Sequence, residues 1–171
     1  MASSLLYFVE GYCEKSFIRS FMFEDGYHFK PGKIEVLNLV NEKISKAKAR
    51  TINKETTVAI VFDTDVENMD TFEENIRTLK TVSQLTESHI IFVPSIKTFE
   101  DELVYSCTNI KNIDDLFNTK SVAKFKKKFI AHASIVSKLN SEGFDFNLIW
   151  SREAKTPFDK YKNTAKRIKC K

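Results

Sequence analysis

The sequence predicts an α/β protein whose mostly parallel central sheet, of four or five strands, is covered by helices on both faces. Apolar runs of strand length at residues 5–9, 34–40, 58–65 and 89–93 alternate with stretches of helical periodicity. Strands separated by helices of about 10 to 16 residues indicate βαβ crossovers, and so parallel strands with both faces buried. With 42% hydrophobic and 29% charged residues but only four glycines and three prolines among 171, the composition is that of a helix-rich globular chain. One domain over residues 1–171 is long enough to bury about two-thirds of its unfolded surface.

Residues 5–9, LLYFV, are five consecutive apolar residues ending in Glu10 and Gly11, a buried strand with a tight exit. Residues 14–23 then place Phe17, Ile18, Phe21 and Met22 at helical spacing. Turn signals follow at 24–27 and at Pro31 and Gly32, then a second strand over 34–40 and a short basic helix or loop over 41–49. The third strand starts at Val58. Phe72, Ile76, Leu79 and Val82 mark a helix over 70–85, and residues 89–93 are a fourth strand that Pro94 is expected to end. A helix with an acidic first turn starts near Glu100, and a short helix is expected at 114–117. A longer one over 122–139 turns Val122, Phe125, Phe129, Ala133 and Val136 inward. Its other face carries Lys120, Lys124, Lys126, Lys127 and Lys128. Residues 144–150 suggest a last strand at the edge, and the tail holds Tyr161, Ala165 and Ile168 among lysines and Arg167.

The third strand, VAIVFDTD, stops in two carboxylates. An extended backbone turns Asp63 and Asp65 to the same side, and Glu67 continues the spacing. Carboxylates at a sheet end cost several kcal/mol unless solvated, paired or metal-bound. Two or three together suit a hard cation with oxygen ligands, Mg²⁺ or Mn²⁺. A single strand-end aspartate is equally a turn or helix-cap residue, and acids in a first helical turn equally complement the helix dipole. The metal reading rests on convergence: Glu10, Asp63, Asp65 and the 95–102 loop all follow strand carboxyl ends, where sheets of this kind bind ligands.

Cys13, Cys107 and Cys170 lack zinc-ligand spacing and read as reduced thiols, and His28, His89 and His132 are equally scattered. No apolar run reaches the ~20 residues of a membrane span and no signal-peptide pattern opens the chain, so a cytoplasmic protein is expected. The net charge is only +4, with Lys and Arg crowded into the last third.

Residues 5–17, LLYFVEGYCEKSF, taken with VAIVFDTD, resemble the two halves of the Toprim signature: a strand ending in Glu-Gly and, two strands later, one ending in Asp-x-Asp. A second Glu four residues after the first is similar to the Toprim nucleases of the overcoming-lysogenisation-defect (OLD) family and to small RloB-like proteins. Ser95 and the Phe99–Glu100 pair stand where those families carry a further Ser and an acidic element. The resemblance covers a signature core of about 5–105 and leaves a helical, basic C-terminal extension of about 110–171 unmatched. Glu67 departs from the third Asp of topoisomerases, and the ATPase domain that precedes Toprim in OLD proteins has no counterpart here.

The resemblance implies a Mg²⁺-dependent nuclease acting on DNA or RNA, a stand-alone domain or one with a separate ATPase as partner, in phage defence; a homodimer is compatible with it. Phosphodiester cleavage needs an activated water and charge stabilisation on both oxygens, which two cations roughly 4 Å apart supply. Glu10 and Glu14, one helical turn apart, would share one cation with Asp63, while Asp65, Ser95 and Glu100 would hold or orient the second. Glu10 is also a candidate general base, and Lys155 the candidate lysine for the scissile phosphate, with Arg152 serving as well. Lys124, Lys126, Lys127, Lys128, Lys166 and Arg167 would contact the nucleic-acid backbone. A haloacid-dehalogenase phosphatase fits poorly, because its Asp pair belongs on the first strand, and a glycosyltransferase would be longer. The alternative class is a non-catalytic Toprim-fold regulator that binds nucleic acid or a partner protein.

Overall fold

The computed structural model describes residues 4–23 and 28–170; the turn expected at 24–27 lies outside them, as does Lys171. Four strands, β1 (Leu5–Val9), β2 (Lys33–Val36), β3 (Thr57–Asp63) and β4 (Ile90–Ser95), form one all-parallel sheet in the order β2-β1-β3-β4. Among the described residues six α-helices accompany it: α1 (Tyr12–Phe23), α2 (Lys46–Arg50), α3 (Asp70–Thr81), α4 (Phe99–Ser106), α5 (Val122–Ala131) and α6 (Ile135–Ser141).

Strand alternation divides the interior in two. Tyr7, Val9, Ala59, Val61, Ile91 and Val93 face a core built with Phe17, Ile18 and Phe21 of α1, Phe99 and Leu103 of α4, Phe125 and Phe129 of α5, and Leu139 of α6. Leu6, Phe8, Val58, Ile60, Phe62 and Ile90 face the other core, with Ala49 of α2 and Phe72, Ile76 and Leu79 of α3. The C-terminal extension enters both, through Ile149, Trp150 and Ile168 on one side and Ala154 and Phe158 on the other. Ring contacts such as Phe17 against Trp150, edge-on at 5.5 Å, add to what area burial alone contributes.

The chain leaves β1 through α1 to β2 on one side, then returns through α2 to β3 on the other. The sheet order therefore reverses between β1 and β3, and the crevice at their carboxyl ends is where such folds place ligands. Thr64 fastens this edge: its N–H donates to the Ser95 and Lys97 carbonyls, and its hydroxyl bonds to the Ser95 carbonyl and the Lys97 N–H. At the opposite end Gly32 permits close approach of β2 to β1, since a Cβ there would stand 2.6 Å from the Leu5 carbonyl oxygen.

Several expected elements are corrected. The second strand ends at Val36, because Asn38 Oδ1 accepts the N–H groups of Val40 and Asn41 and turns the chain, burying Leu39 and Val40 in the second core. The basic segment forms only the short α2, capped by Ser45. The third helix stops at Thr81, before Gln84 at φ 57°. The fourth strand runs through Pro94 to Ser95; it is an edge strand, so a residue without an N–H is tolerated. The short helix at 114–117 is a 3₁₀ turn over Ile113–Phe117. The long helix breaks in two, because His132 is extended (ψ 131°) and Ser134 starts α6 by accepting the Ser137 N–H. Residues 144–150 form no strand beyond one antiparallel bridge between Phe144 and Cys107. Asp145 accepts the Asn147 N–H, Trp150 sits at φ 51°, and the Lys169 ammonium holds the Phe146 and Ile149 carbonyls.

Candidate metal centre

Phe8 pairs with Ile60, so the first residue past β1, Glu10, meets the last residue of β3, Asp63, at one edge. Gly11 follows and α1 begins, bringing Glu14 back over Glu10 after one turn. One carboxylate oxygen from each of Glu10, Glu14 and Asp63 lies within 4.8 Å of the others. Glu14 is 6% exposed, while Glu10 and Asp63 are half-buried. Gly11 gives the cluster room: a Cβ there would approach Glu14 Oε2 to 3.1 Å.

Three acids this close and this dry cannot all be charged without compensation. Burial, with the neighbouring charges of Glu10 and Glu100, pushes Glu14 up to about 7. Asp63 is also raised, by burial first and then by the charges of Glu10 and Glu14, and it hydrogen-bonds Glu10. Burial raises Glu10 too, against the bonds it takes from Asp63. The two means of neutralising such a group are protons and a cation. Its donors are all hard carboxylate oxygens at a partly open edge, which suits Mg²⁺ or Mn²⁺ rather than a softer metal.

The cleft over the cluster measures about 320 Å³ and is lined also by Gly11, Tyr12, Cys13, Asn38, Lys126 and Ile130. Lys126, on α5, pairs with Glu100 on α4 at 3.1 Å. Its charge draws down Glu10 and Glu14, opposing the effect of burial.

The remaining expected site residues divide. Glu100 stands beside the cluster, and its charge raises Glu14 and Asp63. Asp65 is exposed and outside the group of three, acting only through its charge on Glu10. Ser95 is fully buried, and its hydroxyl accepts the Trp150 indole N–H at 3.2 Å, so it serves the core. Lys155 is exposed and does not line the cleft. Arg152 is structural: it bonds the fully buried Glu102 at 2.7 Å and lies 4.0 Å over the Tyr105 ring.

The basic residues part as well. Lys124, Lys127 and Lys166 are exposed, without an ion pair among the described residues. Lys128 donates to the Phe117 carbonyl. Arg167 binds the carbonyls of Ser88 and Ile90, at the amino end of β4 and so across the sheet from the acids. Sequence reasoning missed Lys126 as a cleft residue, because its partner Glu100 on α4 is remote in sequence and helical spacing does not set it apart from Lys124. It also missed Tyr12, Asn38 and Ile130.

The chain matches no protein-family model, no curated protein and no solved structure. Among the described residues no helix is long and apolar enough to cross a membrane.

Proposed function

We propose that this chain is a Mg²⁺- or Mn²⁺-dependent nuclease of the Toprim type, cleaving phosphodiester bonds in DNA or RNA. The observation that carries the reading is the convergence of Glu10, Glu14 and Asp63 at the carboxyl ends of β1 and β3, where the sheet order reverses. These three residues would hold the cation, which supplies Lewis-acid activation of the phosphate and of the attacking water. Glu100 and Asp65 flank them with further negative charge. Glu10, whose carboxyl burial raises above its ordinary value, lines the cleft and is the candidate to take a proton from the attacking water. Lys126 takes the place proposed for Lys155 as the cation nearest the reacting phosphate, because it lines the cleft and Lys155 does not.

A separate ATPase as partner and a role in phage defence belong to the same proposal through the motif resemblance at residues 5–17 and 58–65, and a cytoplasmic location is proposed beside them. The test is a panel of labelled single-stranded DNA, duplex DNA and RNA incubated with the pure protein in Mg²⁺, Mn²⁺ or EDTA. Cleavage of at least one substrate that EDTA abolishes is expected. Divalent-cation binding without cleavage of any substrate would leave the regulatory alternative.

A further inference from the structure

The cleft is acidic at its floor only. Its rim carries Tyr12, 61% exposed, and Ile130, 44% exposed, two apolar side chains that the fold leaves in water beside the carboxylates. Tyr12 is not needed to hold α1 on the sheet, since Cys13, Phe17, Ile18, Phe21 and Met22 form its buried stripe. The Lys15 ammonium lies 5.9 Å from the Tyr12 ring centroid and steadies the ring from one side. From α5, Lys126 lines the cleft and is engaged with Glu100, while Lys127, one helical turn before Ile130, and Lys124 lie on the same helix outside the lining, exposed and without an ion pair among the described residues. An aromatic platform and a carboxylate floor thus meet in one small opening, with free lysines farther along the helix that bounds it.

We propose that Tyr12 stacks an unpaired base, so that the substrate bound in this cleft is single-stranded nucleic acid, with the adjoining phosphate over Glu10, Glu14 and Asp63 and the next phosphates along Lys124 and Lys127. The proposal rests on the nuclease reading and adds the substrate class to it. Every base has a face to stack, so the ring asks for no sequence. In a duplex that face is already covered by the neighbouring pair, and reaching Tyr12 would first require unstacking. Stacking on one aromatic residue is worth roughly five- to 150-fold in affinity, the equivalent of ~1–3 kcal/mol. Two lysine–phosphate contacts add a slope of about −1.4 in log affinity against log salt for a single strand.

The test is fluorescence anisotropy of labelled oligothymidylate, oligouridylate and a blunt DNA duplex, in Ca²⁺ to restrain cleavage, with wild type, Tyr12→Ala, Tyr12→Trp and Lys124→Ala/Lys127→Ala. Wild type is expected to prefer a single strand. Tyr12→Ala should lose at least about fivefold on single strands and nothing on duplex, with an unchanged melting temperature, while Tyr12→Trp keeps wild-type affinity. The double lysine variant should flatten the salt slope by about 1.4. Equal single-strand binding by wild type and Tyr12→Ala, an equal loss in Tyr12→Ala and Tyr12→Trp, or a wild-type preference for duplex would overturn the inference while leaving the nuclease reading in place. If wild type binds none of the three and cleaves no nucleic acid, both fall together.

Discussion

Lys126 reaches from the C-terminal extension to pair with Glu100 at 3.1 Å, and so sets an ammonium beside the carboxylates that close β1 and β3. The contact joins the C-terminal extension to the sheet and its acids at the point where charge matters most. Lys126 is half exposed, so the pair itself contributes about 1 kcal/mol or less to stability. Its larger effect is on the acids, whose repulsion it offsets.

Replacing Lys126 by Met removes that compensation. The metal-free variant should melt a few degrees below wild type, and a saturating divalent cation should raise its melting temperature by more than it raises that of wild type, because the ion then supplies the missing positive charge. Paired thermal melts with EDTA or Mg²⁺ read this directly. An equal metal response in the two proteins would show that Lys126 does not feel the site.

The Glu102–Arg152 pair predicts a different phenotype. Glu102 is fully buried and accepts the N–H groups of Ile96 and Trp150 as well as the guanidinium. Glu102→Ala orphans all three donors, which is expected to cost about 3–5 kcal/mol, read as a lower urea midpoint in EDTA and Mg²⁺ alike. A mild change confined to Mg²⁺ would make Glu102 part of the metal centre instead.

Stability should also depend on pH in a direction set by the cluster. Glu14, raised to about 7, with Glu10 and Asp63 also raised, keeps protons in the folded chain that the unfolded chain releases near the usual values of 4.5 for Glu and 3.8 for Asp. Between those values the folded state binds more protons, so unfolding free energy falls as pH rises, and this contribution is lost once pH passes the folded-state values. The metal-free protein should melt lower at about pH 7.5 than at about pH 5.5. Mg²⁺ binds the deprotonated cluster, so its stabilisation should grow over the same interval. A metal effect independent of pH would mean that these acids are not the ligands.

What the sequence revealed of the fold follows the range of the interactions involved. LLYFV and VAIVFD are apolar enough to be strands buried on both faces wherever they sit, and parallel pairing then puts Glu10 and Asp63 at one edge. Glu14 follows from local helix geometry. Ser95 could not be assigned in this way, because its burial depends on Trp150 arriving from a distant segment. The alternation in residues 144–150 imitated a strand, yet its aromatic residues pack from a turn held by Asp145 and Lys169. Arg167 read as one more basic tail residue, since its carbonyl partners at Ser88 and Ile90 are remote in sequence. Lys126 differs from Lys124 and Lys127 only in facing α4, which periodicity does not reveal.

Asp63 tests the central claim most directly. Asp63→Asn keeps the shape of the side chain but removes one charge and one oxygen ligand, and a nuclease assay in Mg²⁺ beside melts in EDTA reads both effects. The account predicts that cleavage collapses, that the melting temperature in EDTA is unchanged or higher because an amide sits beside Glu10 and Glu14 without having to hold a proton, and that the stabilisation by Mg²⁺ shrinks. Full metal-dependent cleavage by Asp63→Asn, with a wild-type melting response to Mg²⁺, would contradict it.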